Sequence, residues 1–403
     1  WVWGSKGANI YTANPGSAEM SGDDVSILVT ADRIYGRGGG GSDTATIWDS
    51  PADDLFEFFP TWARASGAGY LHNLQGFTTM IGKAGLGVNG IDEAIFLGSP
   101  KGDWVKSTTV TARMLVLGAW RHAEGFDTIS AYGRGGRDKP DTLLVQDSPG
   151  ADTLQLKPME TTLNTPDYKV TAYGFASVEA TRVNINAADD RVTFEGSPGN
   201  DTFVGNPAWA RISGSSPAYT NKAAGFPSVM GYGTGEGLDK AFFSDFNGAA
   251  DARLEDDTFT AGSIVAELTG PGYRLWARFF DEVHAEVHLG HDIANLSGTT
   301  GIEELHGATA EVSLSGLNAK GAFANYVKGF DEINASGETG QDRAVLMDAV
   351  VDLATYGPPA DVSLEELAQV LWLNEFEKIE LWKSGTSEKT AIDNVDAVFA
   401  WWE

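Results

Sequence analysis

The run FDTISAYGRGGRDKPDTLLVQDSPGADTLQL, residues 126–156, contains one full statement of a pattern that fills the chain. Phe126 is followed three positions later by Ile129. A Gly-rich bend then leads to Asp141, an apolar segment, the turn DSPGAD and a new apolar segment. A Phe with an aliphatic residue or Met three positions on recurs at Phe77, Phe126, Phe175, Phe226, Phe280, Phe330 and Phe376, at spacings of 49, 49, 51, 54, 50 and 46. An Asp-x-apolar marker recurs at Asp43, Asp92, Asp141, Asp190, Asp239, Asp292 and Asp342, at spacings of 49, 49, 49, 49, 53 and 50. The turn recurs as DSPADD from Asp49, GSPKGD from Gly98, DSPGAD from Asp147 and GSPGND from Gly196. Independent markers sharing one period identify a tandem repeat.

Each repeat reads as strand, bend, strand, Ser-Pro turn, strand and a longer variable arm, with little helical periodicity. Units of this kind bury their apolar faces by stacking on one another. The pattern predicts an all-β chain, a right-handed parallel β-solenoid of about seven 49-residue repeats over residues 21–362. A β-propeller is the alternative fold, although no Trp-Asp signature or regular four-strand blade is present. Residues 1–20 carry no repeat and are assigned to an N-terminal cap or arm. In residues 363–403, Ser363 and Glu366 fit a capping box, and Leu364, Leu367, Ala368 and Leu371 recur at helical spacing. They predict a short helix covering the open end of the solenoid, ahead of the last repeat strand.

The 403 residues are 42% apolar with net charge −28, which supports a folded core and disfavours a nucleic-acid partner. Cysteine is absent, so neither a disulfide framework nor a thiolate metal site is available. There is no apolar run long enough to span a bilayer as a helix. The chain begins at Trp1, as a processed mature chain or a segment of a longer one would.

The succession F-x-x-V, D-x-A and D-S-x-G-x-D-T-F resembles repeat regions of large secreted or surface proteins of planctomycete-like bacteria, over roughly residues 20–390. The resemblance implies an extracellular or cell-surface location. SPGNDTFVG, from Ser197, is also distantly similar to calcium-binding nonapeptide β-rolls, though their tandem G-G-x-G-x-D is missing. Calcium is the one cofactor brought forward, and no other is indicated.

Alternation within the Phe strands sets their faces. Ile129, Ala131, Val178, Ala180, Val283, Ala285, Val287, Ile333 and Ala335 are predicted to point inward. Tyr132, Tyr232 and Trp382 then fall in one outward column, with His284, Glu286 and His288 between them. Aromatic rings with polar tips suit sugar binding. FDEVHAEVHLGHD, residues 280–292, holds three of the six histidines and follows the longest Phe spacing. On a strand, His284 and His288 are separated by about 13 Å, too far for one metal, whereas either could pair with Glu286 as a general base. The D-x-A aspartates are expected to cap turns through backbone N–H groups. No G-x-S-x-G, H-E-x-x-H or EF-hand pattern occurs.

Two functions follow as expectations. One is a secreted or cell-surface repeat protein that presents an aromatic-bearing, carbohydrate-binding face to extracellular polysaccharide, matrix or neighbouring copies of itself. The other is a β-helix lyase or glycoside hydrolase with catalytic His284, Glu286 and His288. In both, Tyr132, Tyr232, Trp382, Arg274 and Arg278 are the substrate-binding candidates, and no metal ligands are assigned.

Overall fold

The computed structural model describes the chain outside residues 23–24, 86–89, 136–138, 184–188, 235, 247–255, 309–310, 348–349, 353–368, 377, 383–388, 394–396 and 402–403. The described residues form strands and contain no helix. Accordingly, none of them forms a helix long and apolar enough to cross a membrane. The chain divides into two compact units, Trp1–Val192 with Ala218–Ala224, and Thr193–Pro217 with Gly225–Glu403.

In the first unit the chain passes back and forth between two sheets. The Phe77 strand, Thr79–Lys83, lies between Thr44–Trp48 and Ala119–Glu124, parallel to both. The following Asp92 strand, Glu93–Leu97, lies in the opposite sheet between Leu55–Phe58 and Thr128–Tyr132, again parallel. The chain then returns to the first sheet as a three-strand meander, Trp104–Ser107, Thr111–Val116 and Ala119–Glu124. The next repeat, opening at Phe126, places the same elements in the opposite sheets: its Phe strand pairs with Glu93–Leu97 and its Asp141 strand with Trp104–Ser107. The second unit repeats the scheme. Lys240–Ser244, Glu282–Glu286 and Gly321–Lys328 run parallel in one sheet, and Glu311–Asn318 reverses direction beside them.

The protein is therefore a β-solenoid, with one reversed strand per meander. Each repeat visits a sheet three times, and the two units together hold about nine turns, where the sequence predicts about seven repeats. The variable arm is a hairpin lying in the plane of its sheet. The predicted C-terminal helix is not formed where the chain is described. Gln369–Asn374 is a strand, parallel to Glu332–Glu338 and antiparallel to Ala397–Trp401, and Ser363–Ala368 lies outside the described residues. Leu371 and Leu373 are buried while Trp372 is half-exposed, a period of two that serves a sheet and not a helix.

The core is as the alternation predicted. All seven marker Phe residues are at most 6% exposed, and the nine predicted inward positions are buried. Burying each such Phe contributes roughly 1.5–3 kcal/mol. The residue before each marker Phe has positive φ: Gly76, Gly125, Gly174, Gly225 and Gly329, then Phe279 and Glu375. At Gly174, with φ of 82°, an added Cβ would lie 2.5 Å from the Gly133 carbonyl oxygen. Gly118, with φ of 78°, has nothing within 4 Å. Gly174→Ala should cost about 3 kcal/mol and Gly118→Ala about 1 kcal/mol, as read from urea midpoints. Equal losses at the two sites would show that the close approach does not matter.

The D-x-A aspartates cap the chain over a longer range than a single turn. Asp92 Oδ1 accepts the N–H of Asp54, Asp141 that of Asp103, Asp190 that of Asp152 and Asp239 that of Asp201, each across 38 residues. In the Ser-Pro turn, Ser50, Ser99, Ser148 and Ser197 each donate N–H and hydroxyl to the Asp four residues on. A third recurrent device crosses the core. A buried polar side chain on the last meander strand reaches a carbonyl at the preceding hairpin of the opposite sheet. His72 reaches Asn14, Arg121 reaches Phe59 and Pro60, Asn221 reaches Lys157, and Asn325 reaches Gly262.

Candidate functional site

Three parallel strands of the second unit bring Phe242, His284 and Tyr326 into register on one outer face. Their rings stack, Phe242 on His284 at 4.8 Å and 14°, and His284 on Tyr326 at 4.3 Å and 5°. These separations match the spacing of adjacent strands, so the ladder follows directly from the register. Above it opens a cavity of about 330 Å³ reaching from Val204, Gly205 and Asn206 across the ladder to Glu286, Glu311 and Lys328. The floor is aromatic and one rim is charged, with Lys328 Nζ 2.5 Å from Glu286. Apolar floors with a few polar groups at the margin are the usual make-up of small-ligand sites.

His284 is half-buried, and its Nε2 lies 3.6 Å from Glu282. Burial lowers the His284 pKa, more strongly than Glu282 raises it, which keeps the ring neutral at pH 7. Burial works against the Glu282 carboxylate, but Lys240 at 2.6 Å and His284 bring its pKa below the usual value. A neutral imidazole here can donate or accept a hydrogen bond to a ligand hydroxyl while its ring remains part of the stack.

The trio His284, Glu286 and His288 does not converge. Glu286 pairs with Lys328, and His284 turns to Glu282. The strand ends at Glu286, so the spacing argument for His288 does not apply. Its backbone N–H and Nδ1 both bind Asp245, at 2.9 and 2.8 Å, and its ring lies against Phe246. The N–H of His291 is bound by Asp256.

The predicted single column of aromatics is also divided, because successive Phe strands occupy opposite sheets. Tyr232, Arg274 and Arg278 belong to the sheet opposite His284 in the second unit. Arg278 lies over Phe279, and Arg274 pairs with Glu267 and lies 4.0 Å from the Trp276 ring centroid. Trp382 is in the His284 sheet, where Nε1 donates to Glu380, well along from the ladder strands in chain order. Tyr132, in the first unit, stacks on Tyr173 at 5.3 Å.

Phe242, Tyr326, Asn206, Glu311 and Lys328 were not among the sequence candidates. Phe242 stands in the D-x-A strand DKAFF and Tyr326 in the variable arm, neither of which follows the Phe-x-x-Val marker. Only strand register places them beside His284. Comparisons with protein-family models, curated proteins and solved structures return no match.

Proposed function

We propose that this chain is a secreted or cell-surface repeat protein that presents the Phe242–His284–Tyr326 face to extracellular polysaccharide. The observation that carries the proposal is the stacked ladder flooring a cavity with carboxylate, ammonium and amide groups at its margin. Pyranose rings present C–H faces to aromatic surface and hydroxyls to such polar groups. The net charge of −28 favours neutral or basic glycans over acidic ones.

Binding to a panel of neutral and charged oligosaccharides, followed by calorimetry, tests the proposal. Tyr326→Ala and His284→Ala should each weaken binding about tenfold, the size of one lost ring contact. His284→Phe keeps the stack and should retain most of the affinity. Absence of binding to every glycan, or affinity indifferent to these variants, overturns the proposal. The enzymatic alternative would run through His284 with Glu282. It predicts new reducing ends or unsaturated products that disappear in His284→Phe while binding persists.

A further inference from the structure

Asp49, Asp54 and Asp92 meet at a corner of the first unit, and one carboxylate oxygen from each lies within 4.8 Å of the others. Asp54 is 3% and Asp92 0% exposed. Their known partners are all donors: Ser50 N–H and hydroxyl for Asp54 Oδ2, the Asp54 N–H for Asp92 Oδ1, and the Gly85 N–H for Asp49 Oδ2. Asp54 Oδ1 and Asp92 Oδ2 remain buried without a hydrogen bond. Tyr70 is 4% exposed, and its ring lies beside Asp54 with the hydroxyl buried and without a hydrogen bond. A buried phenol and two buried carboxylate oxygens at this one corner thus have no hydrogen bond.

The repeat supplies two internal comparisons. The same cluster recurs 98 residues later as Asp147, Asp152 and Asp190, again with one oxygen from each within 4.8 Å, and Val183 N–H binds Asp147 as Gly85 binds Asp49. There a protein cation occupies the corner: Arg182, 6% exposed, places Nε 2.5 Å from Asp190 Oδ2. The residue 98 positions before Arg182 is Ala84. In the third copy the corner Asp is Asp245, and its cation is the His288 ring. Tyr273, the counterpart of Tyr70, donates to Asp257 at 2.8 Å. At the first corner Lys83 is drawn away to Glu124 at 2.9 Å. Among the described residues no Lys, Arg or His forms an ion pair with Asp49, Asp54 or Asp92.

We infer that the Asp49–Asp54–Asp92 corner is a divalent-cation site of the calcium class, in which the ion takes the place that Arg182 fills one period later. All donors are hard oxygens, which selects Ca²⁺ or Mg²⁺ over thiolate- or imidazole-seeking metals. Two oxygens on one Ca²⁺ at about 2.4 Å are at most about 5 Å apart, which accommodates the observed cluster. Mg²⁺ demands a stricter octahedron and holds its water, so Ca²⁺ is the better fit to three inflexible backbone-tethered carboxylates. This inference is independent of the glycan surface, which lies in the other unit.

Calcium titration of the full chain by calorimetry, with Tb³⁺ luminescence sensitised by nearby aromatic rings as a second readout, is the test. The wild type should bind one equivalent of Ca²⁺ more tightly than Mg²⁺. Asp92→Asn and Ala84→Arg should each weaken that binding more than about tenfold. Ala84→Arg installs the group that the second corner already tolerates, and circular dichroism checks that both variants fold. Arg182→Ala should add a second equivalent. No binding at millimolar Ca²⁺, binding that survives Ala84→Arg in the folded chain, or a single equivalent in Arg182→Ala each overturns the inference.

Discussion

Acidification from pH 8 to pH 5 in the presence of chelator should raise the melting temperature of this protein, against the usual behaviour of a surface-charged domain. Four aspartates of the repeat marker and its turn are buried beside other carboxylates. Burial, with smaller contributions from those neighbours, pushes Asp92 and Asp292 up to about 7, and Asp147 and Asp239 up to about 6. In the unfolded chain each titrates near 3.8. Between roughly pH 4 and pH 7 the folded state therefore holds more protons than the unfolded state. Stability is fully present below the unfolded value and declines as pH rises through the folded values. At about 1.4 kcal/mol per pH unit for each group, and allowing for relaxation, the four together amount to on the order of 5 kcal/mol between pH 5 and pH 8. The declining net charge acts in the same direction. Asp92→Asn retains an oxygen for the Asp54 N–H and cannot ionise. It should melt above the wild type at pH 8, with the gap narrowing at pH 5. A melting temperature that is flat or falls on acidification would falsify this account of the corners. Added Ca²⁺ should raise the pH 8 value in the wild type and leave Asp92→Asn nearly unchanged.

Arg121→Ala should be among the most damaging single substitutions in the first unit, at about 4 kcal/mol. Arg121 is 1% exposed and, among the described residues, forms no ion pair. It spends its donors on carbonyls: Nε on Phe59 at 3.0 Å, Nη1 on Trp120 at 2.9 Å and Nη2 on Pro60 at 2.7 Å. Burial lowers its pKa to about 10, which leaves it charged at neutral pH. Truncation opens a large cavity and takes the guanidinium donors from three part-buried carbonyls. Arg121→Met refills much of the volume but supplies no donor, and should recover only about half of the loss. The measurement is the urea midpoint together with amide exchange, which should accelerate around 58–62 and 119–124. A loss below about 1 kcal/mol for Arg121→Ala would mean that water replaces the guanidinium at no cost. His72, Asn221 and Asn325 perform the same crossing with fewer donors, so their alanine variants should cost less.

Much of this was legible in the chain itself. The period, the strand character and the inward face of every marker strand follow from apolar alternation and turn chemistry, which are local properties. The turn also begins with Asp49, Gly98, Asp147 and Gly196 in strict alternation. At Gly98 an added Cβ would lie 2.8 Å from both Asp103 Oδ2 and the Tyr132 carbonyl oxygen, so that corner has no room for a side chain. The corner at Asp49 is built differently, with the carboxylate receiving the bend's own N–H. A period of 98 within a period of 49 is the mark of repeats that alternate between two sheets.

The histidine strand shows where local information ended. The outward direction of His284 was set by its neighbours Val283 and Ala285. What it meets outside was set by strands 42 residues away on either side, through Phe242 and Tyr326. His288 looked like a second functional histidine in the strand, yet it belongs to the corner series Gly85, Val183 and His288 and answers to Asp245. The helical spacing near Leu371 misled for the same reason, since a strand paired on both edges satisfies backbone groups that an isolated helix would have satisfied alone.

By itself the sequence determined the repeat, its β character and its core, because burial alternates along a strand irrespective of what lies beside it. Only the tertiary structure decided which residues share a face, because lateral neighbours in a sheet come from register between segments about 40 residues apart. The aromatic ladder, the separation of Tyr232 from His284, and the corner where three aspartates meet all arise from that register.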